Sequence, residues 1–286
     1  MNIVYFNKKN INKLKRLYLN NNIISTEAEL LVTEGGDLFK RFYVNEGEYF
    51  HKKLYTISSL NDHKDLFDSS FVLPESLVTI GGKISGYTMP YIPGENFDNF
   101  LNNAKIGEDI KVKYLMDASD MMEKARIIRE KAGLENFYLG DIHSQNFVLG
   151  SDGLKMIDMD SVRIGYMDGF PIKNSFPVRN FKLYNKYLIK DGVMLPNKAS
   201  DTAMFNLMII NHLAGVDMQR KDLEDYYDYL DYLKNMGLDK NIISEFSNIY
   251  SENEGHVLHE ELRNIPSDAY KFRYKIHEMR KNEKRK

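Results

Sequence analysis

Cysteine is absent from this chain of 286 residues. Its absence excludes disulfide bonds, thiolate zinc sites and cysteine nucleophiles. A chain that folds without disulfides suits a reducing compartment, and we expect a cytoplasmic protein. The basic residues between Lys8 and Arg16 are not followed by an apolar segment, so we expect no secretory signal.

Long apolar runs and a strong excess of one charge are also missing. No stretch approaches the roughly 20 apolar residues that cross a bilayer, so no membrane partner is expected. The 39 Lys and Arg residues nearly balance the 41 Asp and Glu residues, which gives no general reason to expect a nucleic-acid partner. Basic stretches at 8–16 and 271–286 are interpreted as solvated or frayed ends, with contact to nucleic acid or an acidic partner as the alternative.

What the chain does have is an apolar fraction of 43%, enough for a sizeable core. In the first ninety residues the apolar pattern predicts several strands and one helix. Alternation in the second strand puts Lys40 on the same face as Leu38 and Phe42, which is unusual unless that face lines a site. The predicted strands are residues 28–33, 38–44, 76–80 and 84–89, and the predicted helix is 46–60.

A break rich in Pro and Gly at residues 90–94 marks the best boundary between two parts of the chain. Beyond it the pattern is mainly helical. An amphipathic stripe predicts a helix over 110–128, and an apolar segment predicts a buried helix over 201–213. Between these helices, short apolar segments separated by Gly150 and Gly153 predict a β-hairpin flanked by loops.

Three polar residues around this hairpin follow one another as in a phosphoryl-transfer site. Asp141 precedes Asn146 by five residues, and Asp158 follows the second apolar segment. Asp141 could orient or deprotonate an incoming hydroxyl, while Asn146 and Asp158 offer the oxygen ligands that Mg²⁺ prefers. The alternative is a surface turn in which Asp141 caps the backbone and Asp158 is solvated.

With their neighbours, these residues resemble the eukaryotic-type protein kinase superfamily in its broad sense, which includes aminoglycoside and choline phosphotransferases. The resemblance extends over most of residues 25–215, and its segments stand in the order of that family. They are the lysine strand at 38–42, the hinge at 87–92, the catalytic loop at 140–146, the metal-binding segment at 157–161 and the central helix of the large lobe at 200–215.

The resemblance implies an α+β, bilobal protein-kinase-like fold. The N-lobe, residues 1–92, would be a small antiparallel sheet with one helix, and the C-lobe, residues 93–286, would be larger and mainly helical. The implied activity is the Mg²⁺-dependent transfer of the γ-phosphoryl group of ATP to a hydroxyl. ATP and a hydroxyl-bearing acceptor are therefore the expected partners, with Mg²⁺ as the cofactor.

The resemblance also assigns roles in the large lobe. Asp141 would be the catalytic base or orienting group, and Asn146 and Asp158 would be the magnesium ligands. Asp201 would hydrogen-bond the backbone of the catalytic loop, although it could equally be the N-cap of its own helix.

Nucleotide-binding residues are implied in the small lobe. Lys40 would contact the α- and β-phosphates, with a solvated strand lysine as the alternative. A Glu at the start of the next helix should pair with Lys40, and we prefer Glu48 because Glu46 lies nearer the loop. The adenine would lie between apolar side chains and hydrogen-bond the backbone around Met89 and Tyr91.

Departures from the family pattern affect the phosphate cover and the catalytic loop. Residues 24–32 contain no glycine where the family has a Gly-rich loop. Ser25 and Thr26 could still donate hydrogen bonds to phosphate. Leu139 replaces the usual His two residues before Asp141, so the loop must be braced differently.

The metal-binding and substrate segments also depart from the pattern. Met159 and Asp160 replace the usual Phe and Gly. Asp160 is therefore either a second metal ligand or a solvated turn residue. No Ala-Pro-Glu motif closes residues 162–198, so we expect a divergent substrate platform there.

His143 bears on the class of acceptor. Protein kinases usually have Lys at this position, whereas small-molecule phosphotransferases often have His. A protonated His143 could stabilise charge developing on the γ-phosphate, or it could be a structural residue bonded to the loop. The hinge and central helix resemble bacterial protein-kinase-like domains, so we expect Ser or Thr of a protein as the acceptor. The alternatives are an aminoglycoside- or choline-like alcohol, or a pseudokinase that serves as a binding scaffold.

Overall fold

Most of the chain is described by the computed structural model. The described residues are 1–17, 27–165, 189–190, 193–194, 196–218, 221–251 and 255–283. The suggested phosphate donors Ser25 and Thr26 lie outside these residues, as does most of the predicted substrate platform at 162–198.

A six-stranded sheet forms the N-terminal part, in the order β1-β5-β6-β4-β3-β2. Its strands are β1 Asn2–Phe6, β2 Lys15–Leu17, β3 Ala28–Val32, β4 Leu38–Phe42, β5 Ser76–Ile80 and β6 Lys83–Met89. The four strands predicted from the sequence are confirmed as β3 to β6, whereas β1 and β2 were not predicted. The expectation of an antiparallel sheet is wrong at one edge, because β1 pairs with β5 in parallel.

Strand β4 lies inside the sheet, and both of its faces are buried. On one face, Lys40 is in register with Leu30 of β3 and Tyr87 of β6. On the other face, Phe39 packs in a small apolar cluster with Ile11, from the short helix α1 Lys8–Ile11. The N-terminal segment therefore covers the face of β4 opposite Lys40, and the ammonium group of Lys40 points toward the rest of the chain.

Helix α2, Glu48–Asp62, packs on the same side of the sheet as Lys40. Its buried residues Phe50, Lys53, Ile57 and Leu60 recur at helical spacing. Three of them are apolar, whereas Lys53 places an ammonium group within the packed face. The predicted helix over 46–60 is confirmed with its start two residues later.

The described residues of the C-terminal part are mainly helical and include two small sheets. Its helices are α3 Phe97–Asn102, α4 Glu108–Glu130, α5 Lys198–Ala214, α6 Leu223–Asn235, α7 Lys240–Ile249 and α8 Tyr270–Glu283. The predicted hairpin is confirmed as β8 Phe147–Gly150 and β9 Gly153–Met156, joined at its edge by β7 Glu95–Asn96. A further strand pair consists of β10 Ile189–Lys190 and β11 Val193–Met194.

Helix α5 is the buried helix predicted over 201–213. Its N-cap is Asn197, whose side chain accepts a hydrogen bond from the backbone of Ser200 while the Ser200 hydroxyl bonds back to the cap. This capping box excludes the alternative that Asp201 is the N-cap. The helix ends at Gly215 in a left-handed conformation, with φ at 62°. Asp201 is thereby left one turn inside the helix, free to face the catalytic loop.

The chain is thus a mixed α+β protein with a sheet in its N-terminal part and helices in its C-terminal part, as expected at this level. The two parts contact each other where the amide of Val72 donates to the carbonyl of Met156 in β9, at 2.9 Å. None of the helices in the described residues combines the length and apolarity needed to span a membrane.

Gly86 lets β6 approach the backbone of Lys40. A Cβ at this position would lie 2.0 Å from the carbonyl oxygen of Lys40. We expect Gly86→Ala to lower the free energy of unfolding by at least about 2 kcal/mol, because overpacking of this kind forces the strands apart. Urea unfolding measures the change. Gly35→Ala is the control, since its nearest contact would be 3.8 Å away, and equal unfolding midpoints for the two variants would contradict the role assigned to Gly86.

Candidate functional site

The catalytic-loop segment is held to α5 by one buried carboxylate. The amides of Leu139 and Gly140 donate to the two carboxylate oxygens of Asp201, at 2.8 and 2.9 Å. Gly140 has a φ of 75°, which only glycine adopts readily. These are the hydrogen bonds that the family resemblance implied for Asp201. Because Asp141 follows Gly140 directly, its backbone position is set from within the core.

Burial raises the pKa of Asp201, the carboxylate that holds this segment. The low polarity around Asp201 raises its pKa to about 6, although the two backbone hydrogen bonds act in the opposite direction. Arg129 also favours the ionised form. The carboxylate is therefore ionised at neutral pH, but at a cost that a solvent-exposed Asp would not carry.

Asp141 and Asn146 form the centre of the loop. The side-chain amide of Asn146 donates to the backbone carbonyl of Asp141 at 2.8 Å and approaches its carboxylate at 3.2 Å. The backbone carbonyl of Asn146 accepts from the amide of Ile157 at 2.8 Å. The loop and the segment that carries Asp158 are thus fixed to each other by the backbone, and Asn146 keeps its side-chain oxygen available as a ligand.

His143 lies beside Asp141, with 3.5 Å between the ring Nε2 and the carboxylate. Burial lowers the pKa of His143, but the hydrogen bond and charge of Asp141, together with the charges of Asp158 and Asp98, raise it above its ordinary value overall. About a third of the His143 side chain is exposed, 36%. These carboxylates therefore favour the protonated form of His143, which lies next to the proposed catalytic carboxylate.

Asp158 stands at the end of the β9 segment in a left-handed backbone conformation, with φ at 64° and ψ at 38°. Such a conformation costs a non-glycine residue about 1–3 kcal/mol and persists only where the surroundings impose it. A short 3₁₀ turn, Met159–Ser161, follows directly. The carboxylate of Asp158 contacts the Lys40 ammonium, so the two residues predicted to flank the phosphates meet across 118 positions of sequence.

Lys40 and Asp158 each favour the charged form of the other. Burial alone would lower the pKa of Lys40, but Asp158 and Asp160 hold it well above its ordinary value. Burial would raise the pKa of Asp158, but the charge of Lys40, a hydrogen bond with Asp160 and the charge of Lys53 together lower it. Both residues are consequently charged across the neutral pH range, and the alternative of a solvated strand lysine is excluded because Lys40 is 4% exposed.

Two further charged residues belong to this cluster. Asp160 is fully buried, and one of its oxygens accepts from Lys40 at 2.9 Å. Its second oxygen accepts from Lys53 of α2 at 3.2 Å. Sequence reasoning missed Lys53 because a single lysine on an amphipathic helix is usually solvated. The signal was its place in the apolar stripe, which parallels the place of Lys40 in its strand.

The structure does not bring Glu48 to Lys40. Glu48 is the first residue of α2, its side chain is 83% exposed, and it pairs with Lys52 at 2.9 Å. Glu46 lies before the helix and pairs with Lys83 at 2.5 Å. Neither acid reaches the buried face of α2, since that face is set by Phe50 and Lys53.

Met89 and Tyr91 lie where β6 leaves the sheet. Met89 is 3% exposed and packs in the apolar cluster that contains Leu38 and Val72, whereas 36% of Tyr91 is exposed. Partly buried apolar side chains from both parts of the chain pack against the same cluster, among them Val32 and Ile157. The surroundings of Met89 are therefore apolar, as adenine would require, while adenine binding itself stays a prediction.

The ligands for magnesium would come from few protein groups. Within the described residues there is no cluster of three or more His, Asp or Glu side chains arranged to hold a metal ion. The Asn146 amide oxygen and the Asp158 carboxylate are hard oxygen donors from two adjoining segments. Mg²⁺ is commonly bound by one or two protein ligands together with substrate phosphates and water, and this donor set fits that pattern.

The pH dependence of stability tests the raised pKa of Asp201. Because the native pKa of Asp201 is raised to about 6, its contribution to stability is full below pH 4 and is lost as the pH rises through 6. We expect the free energy of unfolding of the wild type, relative to Asp201→Asn, to fall by about 2 kcal/mol between pH 4 and pH 7.

Urea unfolding at several pH values measures this difference. Asp228→Asn removes an exposed carboxylate of α6 and controls for the change in net charge. A difference between wild type and Asp201→Asn that does not vary with pH would show that Asp201 titrates as an ordinary carboxyl.

No protein-family model and no curated protein sequence matches this chain. The arrangement of Lys40, Asp141, Asn146 and Asp158 is therefore the main guide to what the protein does.

Proposed function

We propose that this protein is a Mg²⁺-dependent phosphotransferase that moves the γ-phosphoryl group of ATP to a hydroxyl. The proposal includes a bilobal protein-kinase-like fold, with residues 1–92 as the N-lobe and 93–286 as the C-lobe. The sheet in the N-terminal part, the helices in the C-terminal part and the contacts between Lys40 and the Asp158 segment support it.

One observation carries the proposal. Lys40 from a central strand contacts Asp158 at the end of a hairpin, and Asn146 contacts Asp141 in the loop fixed to α5. The two pairs are joined through Ile157, whose amide donates to the carbonyl of Asn146 and which directly precedes Asp158. A protein that only needed stability would gain little from burying an ammonium and carboxylates together, because desolvation offsets most of the attraction. A cation and oxygen ligands held side by side suit the binding of phosphate and magnesium.

Each residue has a role in the proposed reaction. The Lys40 ammonium would hold the α- and β-phosphates, and Asp141 would orient the acceptor hydroxyl and accept its proton. Mg²⁺, held by Asn146 and Asp158, would neutralise charge on the β- and γ-phosphates. His143, when protonated, would donate to the phosphoryl oxygens beside Asp141.

Mutation of Asp158 tests the reaction. We expect Asp158→Asn to abolish measurable Mg·ATP turnover, and Asp141→Asn to lower kcat roughly 10²- to 10⁴-fold while ATP still binds, because only the proton acceptor is lost. Hydrolysis of ATP and autophosphorylation are followed with labelled nucleotide. Asp152→Asn is the matched control, since Asp152 lies in the turn of the same hairpin with its side chain 66% exposed, and we expect it to match the wild type.

Ser or Thr of a protein is the acceptor we prefer. The position of His143 against Asp141 favours a second candidate, a small alcohol of the aminoglycoside or choline class, because a His at this place is frequent in phosphotransferases for small molecules. Labelled ATP offered with general protein substrates in one set of reactions, and with aminoglycosides and choline in another, separates them. Phosphate transfer to a small alcohol with none to protein would reject the preferred acceptor.

A binding scaffold without catalysis is the candidate from another class. The observation in its favour is that Lys40 already contacts two carboxylates, so that ATP must displace Asp158 from it. A wild-type protein that neither binds Mg·ATP in calorimetry nor turns it over would reject the enzyme and leave the scaffold as the remaining candidate.

A further inference from the structure

Lys53 is the most deeply buried lysine in the described residues, with 1% of its surface exposed. Its ammonium lies 3.2 Å from Asp160 and 2.7 Å from Glu27. The rings of Phe42 and Tyr49 lie 5.7 and 5.6 Å from it. A cation enclosed in this way is stabilised only by its partners, so these contacts constrain where α2 sits against the sheet.

Asp160 connects this lysine to Lys40. Its carboxylate is fully buried, and each oxygen accepts from a different ammonium, at 2.9 Å from Lys40 and 3.2 Å from Lys53. Both oxygens are therefore engaged inside the protein. The alternative of a solvated turn residue is excluded for Asp160 because it is 0% exposed, while a role as a second metal ligand stays a prediction.

The charged residues on α2 and on the Asp158 segment differ from those that the family resemblance implied. The family resemblance called for a helix carboxylate to pair with the strand lysine, with a glycine in the metal-binding segment. Here the helix supplies the cation Lys53, and the segment supplies the carboxylate Asp160. The lysine of the strand still has a carboxylate partner, but that partner comes from the segment that also carries Asp158.

We propose that Asp160 is the residue that positions Lys40 for the phosphates, and that Lys53 holds Asp160 in place while joining α2 to the metal-binding segment. The inference rests on the proposed function, since it names positioning residues for the same site. If Asp158 held a magnesium ion, Asp160 would still hold the Lys40 ammonium in place. Lys53 balances the remaining charge of that carboxylate.

The ion pair is tested first without any nucleotide. Unfolding in urea is measured for the wild type, Lys53→Met, Asp160→Asn and the double variant. We expect each single change to lower the unfolding midpoint, and the double variant to be more stable than the sum of the two changes implies, because neither member of the Lys53–Asp160 pair is then left without the other. The exposed pair of Lys52 and Glu48 on the same helix is the control, for which Lys52→Met and Glu48→Gln should be additive.

Nucleotide binding then separates positioning from stability. We expect Asp160→Asn to raise the KM and the Kd for Mg·ATP roughly tenfold to a hundredfold, as expected for loss of a hydrogen bond between charged groups, with a much smaller effect on kcat. The double variant should recover part of its stability and still bind Mg·ATP as weakly as Asp160→Asn. A merely structural pair would restore binding together with stability.

The outcomes distinguish the two proposals. Additive midpoints for Lys53 and Asp160 would overturn the inference whether or not the protein turns over ATP. Unchanged Mg·ATP affinity in Asp160→Asn, with a wild type that binds, would overturn it as well. Coupled midpoints in a protein whose wild type binds no Mg·ATP would reject the proposed function and with it the positioning role, leaving only the ion pair.

Discussion

The burial of the Lys40 ammonium is the constraint on which the rest of the site depends. A lysine in the middle of a sheet cannot stay charged without partners, because the interior stabilises an isolated cation poorly. Its partners lie more than a hundred residues away, on the turn that follows β9. The strand, the hairpin and α2 must therefore assemble around one cluster of charge. The same contacts therefore pack the strand, the hairpin and α2 together and place the candidate reactive groups.

A second buried carboxylate works at a distance from that cluster. Asp201 holds the backbone of residues 139–140 through two amides, and the carbonyl of Asn146 accepts from the amide of Ile157, directly before Asp158. The site is thus attached both to the core helix α5 and to the hairpin. Asp141 and His143 lie on irregular backbone, whereas Asp201, which holds this backbone, lies on a regular helix. Reactive side chains on a loop can keep a precise position in this way, because the core holds the loop backbone.

Much of the architecture follows from local pattern in the sequence. The helix over 110–128, the buried helix ended by Gly215 and the hairpin around Gly150 were predictable because periodicity and turn residues determine them within a few positions. Strands β1 and β2 were not, since they are short and are defined by distant partners. The residues of the candidate site also fall into those that could be predicted from the sequence and those that could not. Lys40 and Asp158 were found by their order in the chain, but the burial of Lys53 depends on a partner at position 160, and the outward direction of Glu48 depends on how α2 is rotated against the sheet.

The parallel pairing of β1 has a consequence for the order of assembly. Asn2 is in register with Ser76, so β1 is synthesised well before its partner strand β5 exists. Contacts between such distant segments form late, because closing the intervening loop costs entropy. Until β5 has been synthesised, β1 has no strand to pair with and the apolar side chains of the N-terminal segment stay uncovered. During translation, the region that covers the back of β4 is accordingly the one most in need of protection from premature association.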